Sequence, residues 1–344
     1  MMVWGALLSL TACQEAAQTK SYQELNGQTM GTTYVVKYAD REGRDFQKDI
    51  DSLLVRLNEE VSTYIPTSTI SLFNQSVKGL AIKNDSQSKV GTDYPHFQAN
   101  LNLAREIAVQ TKQYFQPTIM PLVNYWGFGY TEKRAITKVD STAIDSLIRN
   151  VGLEYLAFRG DSIIKHKPGV QLDFSAIAKG YGVDQICNFL IDKGIEDVFV
   201  EIGGEVRTAG VSPRGDAWRI GISIPKPEAI LGNFAATAPL DNQAIATSGN
   251  YRNYYEVAGE KYGHTINPFT GFPEKSNLLS ASVFAPDCAT ADAFATAFMV
   301  MGLEKALTLA EEKTELEAYF IVGMPDGSME TYFSSGLQDI FGKD

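Results

Sequence analysis

Apolar and polar residues follow two different periods along this chain, and each period predicts its own kind of element. Where apolar residues recur at every third or fourth position, the pattern predicts an amphipathic helix. Four such helices are expected, over residues 45–62, 94–115, 141–152 and 290–302. Pro117 and Pro121 follow the second helix and end its pattern, because proline lacks the N–H group that a helix interior requires.

Short apolar runs and strict alternation predict strands, which dominate the second half of the chain. Strands are expected over residues 34–38, 197–210, 218–224, 244–249 and 278–285, and hairpins over 155–166, 254–266 and 318–333. The turns of the first and last hairpins are expected at Arg159-Gly160-Asp161 and Pro325-Asp326-Gly327. Strands joined by short turns outnumber strands that alternate with helices. The sequence therefore predicts an α+β fold, in which helices pack on a largely antiparallel or mixed sheet.

The N-terminal segment differs from the rest of the chain. Its apolar run is too short to cross a bilayer and ends in Leu10-Thr11-Ala12-Cys13, which resembles a bacterial lipobox with Cys13 as the lipidated residue. Residues 1–20 are thus interpreted as a lipoprotein signal and polar tether, and residues 21–344 as the folded domain, either one unit or two intertwined α+β subdomains. This predicts a membrane-anchored protein facing the periplasm or another extracytoplasmic space. The alternative is an ordinary apolar segment in which the cysteine occurs by chance.

Composition excludes several classes of function. The 344 residues are 44% hydrophobic, enough to bury a substantial core. The net charge of −11 argues against a nucleic-acid partner, because phosphate binding requires a basic surface. The three cysteines have no CxxC spacing, which argues against a zinc site or a disulfide framework.

The stretch DFSAIAKGYGVD, residues 173–184, is the first candidate site. An apolar run, VQLDF, predicts a strand that leads into a turn of small residues and then a helix. Such a turn exposes backbone N–H groups to an anion, although neither standard nucleotide fingerprint is present. Lys179 can reach an anion there, and Asp173 stands at the expected strand end. The alternatives are a solvated helix lysine and an N-cap aspartate.

Two further segments carry candidate chemistry. Asp292 and Thr296 are four residues apart, so a helix projects both oxygens from one face, a pattern suited to a hard cation such as Mg²⁺. The alternative is an Asp favoured by the helix dipole and a Thr bonded to its own backbone. His264 precedes a turn rich in Pro and Gly and has the side chain best matched to proton transfer near neutral pH. A lone histidine, however, is also often structural.

Glycine and aromatic residues suggest close approach to a ligand in two strands. Gly203-Gly204 predicts a bulge or a close backbone approach, with a simple tight bend as the alternative. Residues 247–256 combine small side chains, aromatic side chains and Arg252, a composition that fits wrapping around a flat heteroaromatic ligand. The alternative there is a strand with a polar outer face.

Taken in chain order, these segments resemble the FAD:protein FMN transferase family, the ApbE-type flavin transferases once called thiamine-biosynthesis lipoproteins. The matching stretches are MGTTY (30–34), STYIPTSTISLFN (62–74), PLVNYWGFG (121–129), DFSAIAKGYGVD (173–184), EIGGEVRTAG (201–210), IATSGNYRNYY (245–255), HTINPFTGFP (264–273) and ADAFATAFMVMG (291–302). The resemblance implies an ApbE-like fold and Mg²⁺-dependent transfer of FMN from FAD to a Thr or Ser hydroxyl of a partner protein, with release of AMP. The implied partner is a membrane redox subunit.

The resemblance also implies roles for individual residues. The Ala176 carbonyl, Asp292 and Thr296 correspond to metal ligands, and His264 to the group that deprotonates the acceptor hydroxyl. Positions that contact the flavin or the adenine nucleotide correspond to Met30, Tyr64, Tyr114, Phe115, Gln116, Asp173, Lys179 and Ile266.

The sequence departs from the family pattern at Gln116 and Asn267, where the family usually has Asp. Loss of two carboxylates near the nucleotide could change the number of metal ions or the balance between transfer and hydrolysis. Two alternatives to the transferase therefore remain open. One is a Mg²⁺-dependent FAD pyrophosphatase that produces FMN and AMP, and the other is a non-catalytic FAD-binding lipoprotein.

Overall fold

The computed structural model describes residues 21–81, 94–131, 139–159, 162–226, 232–250, 254–257 and 260–342. The segment with Cys13 and the side chain of Arg252 lie outside these residues. The helices are α1 Gln47–Val61, α2 Thr69–Gln75, α3 Pro95–Gln110, α4 Met120–Tyr125, α5 Ser141–Ile148, α6 Ala178–Asp192, α7 Cys288–Met301, α8 Leu303–Glu312 and α9 Gln338–Phe341. The strands are β1 Tyr22–Thr29, β2 Thr32–Ala39, β3 Gly79–Ala81, β4 Leu156–Arg159, β5 Ser162–Lys165, β6 Val198–Ile202, β7 Glu205–Ala209, β8 Trp218–Ser223, β9 Phe234–Leu240, β10 Ala244–Gly249, β11 Tyr254–Val257, β12 Glu260–Gly263, β13 Leu278–Ala285, β14 Glu317–Gly323 and β15 Met329–Phe333.

One large sheet organises the molecule. Its strand order is β1-β2-β6-β7-β10-β13-β14-β15, and each neighbouring pair runs antiparallel. Three smaller antiparallel sheets have the orders β3-β5-β4, β8-β9 and β11-β12. The α+β fold with a largely antiparallel sheet is therefore confirmed.

The two faces of the large sheet pack into different cores, as the two-residue period of a strand requires. On β13, Ala281 and Val283 belong to the core that contains α7, whereas Phe284 belongs to the core that contains the β8-β9 hairpin. Helix α7 lies on β10 and β13, and its many alanines allow a close approach to the sheet. Helix α6 packs beside α7 and covers β6 and β7.

The helical periodicity located helices correctly but not every helix end. The predictions over 45–62 and 290–302 are confirmed by α1 and α7, whereas the helix expected over 141–152 is α5, which already ends at Ile148. The helix expected over 94–115 was too long, because α3 ends at Gln110. Lys112 and Gln113 adopt φ angles of 51° and 70°, which a right-handed helix cannot contain, and they turn the chain toward Phe115.

The predicted strands are present, with two corrections. VQLDF does not form a strand, since Gln171 makes only an isolated parallel bridge with Ile119. The segment 197–210 is a hairpin, because Gly203 and Gly204 form its two-residue turn rather than a bulge within a strand. Their φ angles of 62° and 105° explain the glycines, since other side chains rarely adopt such values. The turn expected at Arg159-Gly160-Asp161 lies partly outside the described residues.

No helix in the described ranges is both long and apolar enough to cross a membrane.

Candidate active site

A cavity of about 560 Å³ opens where α6, α7, the β6-β7 turn and the segment after β12 meet. It is lined by Tyr114, Phe115, Gln116, Ile119, Val123, Phe128, Asp173, Ser175, Ala176, Lys179, Gly203, Gly204, Glu205, Gly221, Ser223, Thr247, Ser248, Gly249, His264, Thr265, Ile266, Pro268, Asp292, Thr296 and Val300. The structure thus brings together all but two of the residues predicted for the site. The exceptions are Met30, which packs at the edge of the core beside Gly182, and Tyr64, which is 68% exposed.

A cluster of three charged side chains forms one wall of the cavity. The Nζ atom of Lys179 lies 3.0 Å from Oε1 of Glu205 and 3.7 Å from Oδ2 of Asp292. Asp292 is only 5% exposed, and its Oδ2 also accepts a hydrogen bond of 3.1 Å from the Gly180 N–H. Burial alone would lower the pKa of Lys179, but the carboxylates of Asp292 and Glu205 outweigh it and raise that pKa. The lysine therefore stays charged beside the carboxylates.

Glu205 was missed by the sequence analysis, although its neighbours Gly203 and Gly204 were singled out. Burial raises the pKa of its carboxyl group, and the positive charge of Lys179 opposes this rise. Its Oε2 is buried without a hydrogen-bond partner in the described part of the chain. The alternation along β7 could have indicated Glu205, because it places Glu205 and Arg207 on the same face of the strand. That face contacts α6, where Lys179 pairs with Glu205 and Asp184 pairs with Arg207.

Asp184 fixes the start of α7 relative to α6. Its two carboxylate oxygens accept hydrogen bonds of 2.9 Å from the N–H groups of Cys288 and Ala289, and Oδ1 also lies 2.9 Å from Arg207 Nη1. These bonds satisfy two N–H groups that lack partners in the first turn of a helix. Asp292 follows one turn later in α7, so this contact supports its placement.

Asp173 lies in an irregular segment before α6. Its backbone N–H donates to the Pro117 carbonyl at 2.8 Å, and its Oδ1 accepts from the Ser175 N–H at 2.9 Å. Burial raises the pKa of the Asp173 carboxyl group, although the bond from Ser175 favours its ionised form. The N-cap alternative is wrong, because Ile177 is the N-cap of α6. The Asp173 side chain instead stabilises the turn that precedes the helix.

His264 and several aromatic side chains also line the cavity. The centroids of the His264 and Phe128 rings lie 6.3 Å apart in an edge-to-face arrangement. Tyr114 lines the cavity and packs edge-to-face against Phe269, with ring centroids 5.0 Å apart. The cavity is therefore lined both by aromatic rings with the His264 imidazole and by the charged side chains of Lys179, Glu205 and Asp292.

Of the two residues that depart from the family pattern, Gln116 lines the cavity and Asn267 does not. The Oε1 atom of Gln116 accepts a hydrogen bond of 2.9 Å from the Thr118 hydroxyl group. The Nδ2 atom of Asn267 donates to Glu274 Oε2 at 2.7 Å, and its Oδ1 accepts from the Phe269 N–H at 2.9 Å. Asn267 thus shapes the turn, where an Asp would place a second carboxylate against Glu274.

The donor groups suit a cation that shares its coordination with a phosphate ligand. Within the described ranges, no three His, Cys, Asp or Glu side chains converge as a ready-made metal site. Ala176, Asp292 and Thr296 nevertheless line the same cavity and offer hard oxygen donors. Mg²⁺ is commonly held by one or two carboxylates together with waters and substrate phosphates, so this sparse set fits it.

Comparisons with known proteins support the resemblance seen in the sequence motifs. Residues 30–320 match the ApbE family. An FAD:protein FMN transferase from Vibrio cholerae is 36% identical over 349 residues, which cover 100% of this chain and 99% of that relative. The solved flavin transferase ApbE from Vibrio cholerae has a TM-score of 0.81 and 33% identity, covering 94% of this chain and 100% of its own. The apo form of Pseudomonas stutzeri flavinyl transferase ApbE has a TM-score of 0.80 and 30% identity, covering 95% and 99%. The chain belongs to the ApbE family.

Proposed function

We propose that this protein transfers FMN from FAD to a Thr or Ser hydroxyl group of a partner protein and releases AMP. The observation that carries the proposal is the cavity itself, which combines the His264 imidazole with the charged cluster of Lys179, Glu205 and Asp292. Relatives that align along nearly the whole chain are named FAD:protein FMN transferase. An imidazole and a charged, oxygen-rich wall are the groups that phosphoryl transfer to a hydroxyl requires.

In the proposed reaction, side chains of the cavity accept the proton of the acceptor hydroxyl and offset the charge of the pyrophosphate. The acceptor oxygen attacks the phosphorus on the FMN side of the FAD pyrophosphate, and a new P–O bond forms. The bond between that phosphorus and the bridging oxygen breaks, and AMP leaves with the bridging oxygen and its electron pair. His264 accepts the proton of the attacking hydroxyl on a ring nitrogen. Lys179 contributes a fixed positive charge toward the anionic pyrophosphate.

We further propose that Mg²⁺ binds at Ala176, Asp292 and Thr296 through the backbone carbonyl, the carboxylate and the hydroxyl group. When bound, the ion neutralises phosphate charge and stabilises the departing AMP. The hydrogen bond from Gly180 to Asp292 orients one carboxylate oxygen, which favours a defined ligand geometry. The contacts of Tyr114, Phe115, Gln116, Asp173 and Ile266 with the flavin or adenine portion belong to the same proposal, as do those of Met30 and Tyr64 at the periphery.

The decisive test mixes the full-length chain with FAD, Mg²⁺ and a protein that carries an acceptor Thr. Mass spectrometry detects an FMN adduct on that Thr, and chromatography follows AMP. An adduct that disappears with EDTA supports the transferase. Production of FMN and AMP without an adduct supports the FAD pyrophosphatase instead. Bound FAD without AMP release supports the non-catalytic binder.

We also propose a lipid anchor at Cys13 and an acceptor among membrane redox subunits. The support is the apolar run that ends in Leu10-Thr11-Ala12-Cys13. An anchor of this kind would keep the enzyme at the extracytoplasmic face of a bacterial membrane, beside such subunits. Fractionation of cells that express wild type or Cys13→Ala tests the anchor. Release of the variant from membranes is expected, and full retention would contradict lipidation at this residue.

A further inference from the structure

The Lys179 ammonium group lies between two carboxylates at unequal distances. Its Nζ atom is 3.0 Å from Glu205 Oε1 but 3.7 Å from Asp292 Oδ2. The shorter contact allows a charge-assisted hydrogen bond, whereas the longer one exceeds hydrogen-bonding distance. Lys179 is therefore held by Glu205 and interacts with Asp292 mainly through their opposite charges.

Glu205 is buried at the start of β7. It begins β7 directly after the two-glycine turn, and its side chain is only 6% exposed. Oε1 contacts Lys179, while Oε2 has no hydrogen-bond partner in the described ranges. A buried carboxylate with one unsatisfied oxygen is destabilising by itself, which points to a role of Glu205 at the site.

We infer that Glu205 is a positioning residue, which holds the Lys179 ammonium group away from Asp292 and so keeps the Asp292 carboxylate available to a divalent cation. This inference rests on the proposed metal site. Without Glu205, the nearest anion for the lysine is Asp292, and an ammonium group on that carboxylate competes with the cation. With Glu205 present, the Lys179 ammonium group stays paired with Glu205 while the cation binds to Asp292.

The competing role for Glu205 is direct coordination of the cation through the unpaired Oε2. The two roles differ in their dependence on Lys179. A positioning role requires the lysine, so it disappears once the lysine is removed. A direct ligand continues to matter in the absence of the lysine. A double-mutant cycle separates these cases.

The experiment measures Mg²⁺ affinity by isothermal titration calorimetry on the full-length chain with FAD, in an H264A background that slows turnover. The variants are E205Q, K179M and the K179M/E205Q double variant, with folding checked by circular dichroism. E205Q should weaken Mg²⁺ binding about tenfold, as loss of groups that orient metal ligands commonly does. In the K179M background, the same substitution should change the affinity by no more than about twofold, because the lysine that it releases is absent.

Equal effects of E205Q in both backgrounds would overturn the positioning role, as would no effect in the presence of Lys179. If K179M does not fold, K179Q takes its place in the cycle, because an amide also removes the positive charge that the positioning role requires. A tenfold effect of E205Q that persists in the K179Q background would overturn positioning, and an effect that disappears there supports it. Failure of the proposed metal site is distinguishable, because Mg²⁺ would then not bind to the protein with native Glu205 either.

Discussion

The Gly180 N–H donates a hydrogen bond of 3.1 Å to Oδ2 of Asp292 and thereby joins α6 to α7 at the cavity. Beside this contact, the backbone of α6 at Gly180 approaches the start of α7 closely. A Cβ atom at position 180 would lie 2.2 Å from the Cys288 carbonyl oxygen, a distance that no side chain tolerates. Gly180 therefore helps to position the Asp292 carboxylate, both through its N–H group and through its lack of a side chain.

Gly180→Ala should destabilise the protein by at least about 2 kcal/mol, because the added methyl group meets backbone that cannot move without shifting α7. Chemical denaturation measures this change. Gly182→Ala is the matched control on the same helix, since its nearest neighbours are the side-chain ends of Ile202 and Met30 at 3.2 Å. It should change the free energy of unfolding by less than about 1 kcal/mol. Equal losses for the two variants would refute the close-approach argument.

His264→Ala should slow FMN transfer by about 10²–10⁴-fold while FAD affinity changes little, because the imidazole is proposed to accept a proton rather than to hold the nucleotide. Single-turnover kinetics and fluorescence titration with FAD separate the two effects. His166→Ala is the control, since His166 is exposed and is not among the residues that line the cavity. A large loss of FAD affinity in His264→Ala would reassign His264 as a nucleotide ligand.

Asp292→Asn should reduce Mg²⁺-dependent turnover by about a hundredfold, because an amide oxygen neutralises far less of the positive charge than a carboxylate does. The rate is measured over a range of Mg²⁺ concentrations, so that weakened binding shows as a shift toward higher concentrations. Asp192→Asn is the control, since Asp192 is exposed at the end of α6. An unchanged Mg²⁺ profile would remove Asp292 from the proposed metal site.

Asp184 should make stability depend on pH. Burial, and then the charge of Asp287, raises the pKa of its carboxyl group from 3.8 to about 6. The folded state therefore holds a proton that the unfolded state has already lost. The stabilisation is complete below about pH 3.8 and is lost as the pH rises through about 6.

Denaturation at several pH values tests this expectation. Between about pH 4.5 and pH 7, the free energy of unfolding of wild type should fall by about 2 kcal/mol relative to that of Asp184→Asn, which lacks this titration. The comparison between the two proteins cancels the contribution of the other titrating groups. A difference that stays constant over this range would show that the pKa of Asp184 is not raised.

Local periodicity and short-range chemistry determined much of this protein. The helical spacing of 45–62, 141–152 and 290–302 and the alternation of the strands were sufficient for the α+β class, because they depend on which side chains face a core. The end of α3 at Gln110 was not predicted, and the tight turn at Gly203-Gly204 was only the alternative to a bulge. Both depend on positive φ angles, which the hydrophobic pattern does not report.

The motifs also supplied most of the candidate site, since segments far apart in the chain could be matched to one family. They did not reveal Glu205, because a glutamate in a strand is ordinarily a solvated residue. Only the tertiary structure brings Glu205 to 3.0 Å from Lys179 and leaves its Oε2 buried without a partner. The pairing of β6 with β7 and the packing of α6 on that hairpin decide this arrangement. The periodicity of the sequence predicts which side chains are buried, but contacts between segments that are distant in the chain determine which charged groups lie next to each other in the cavity.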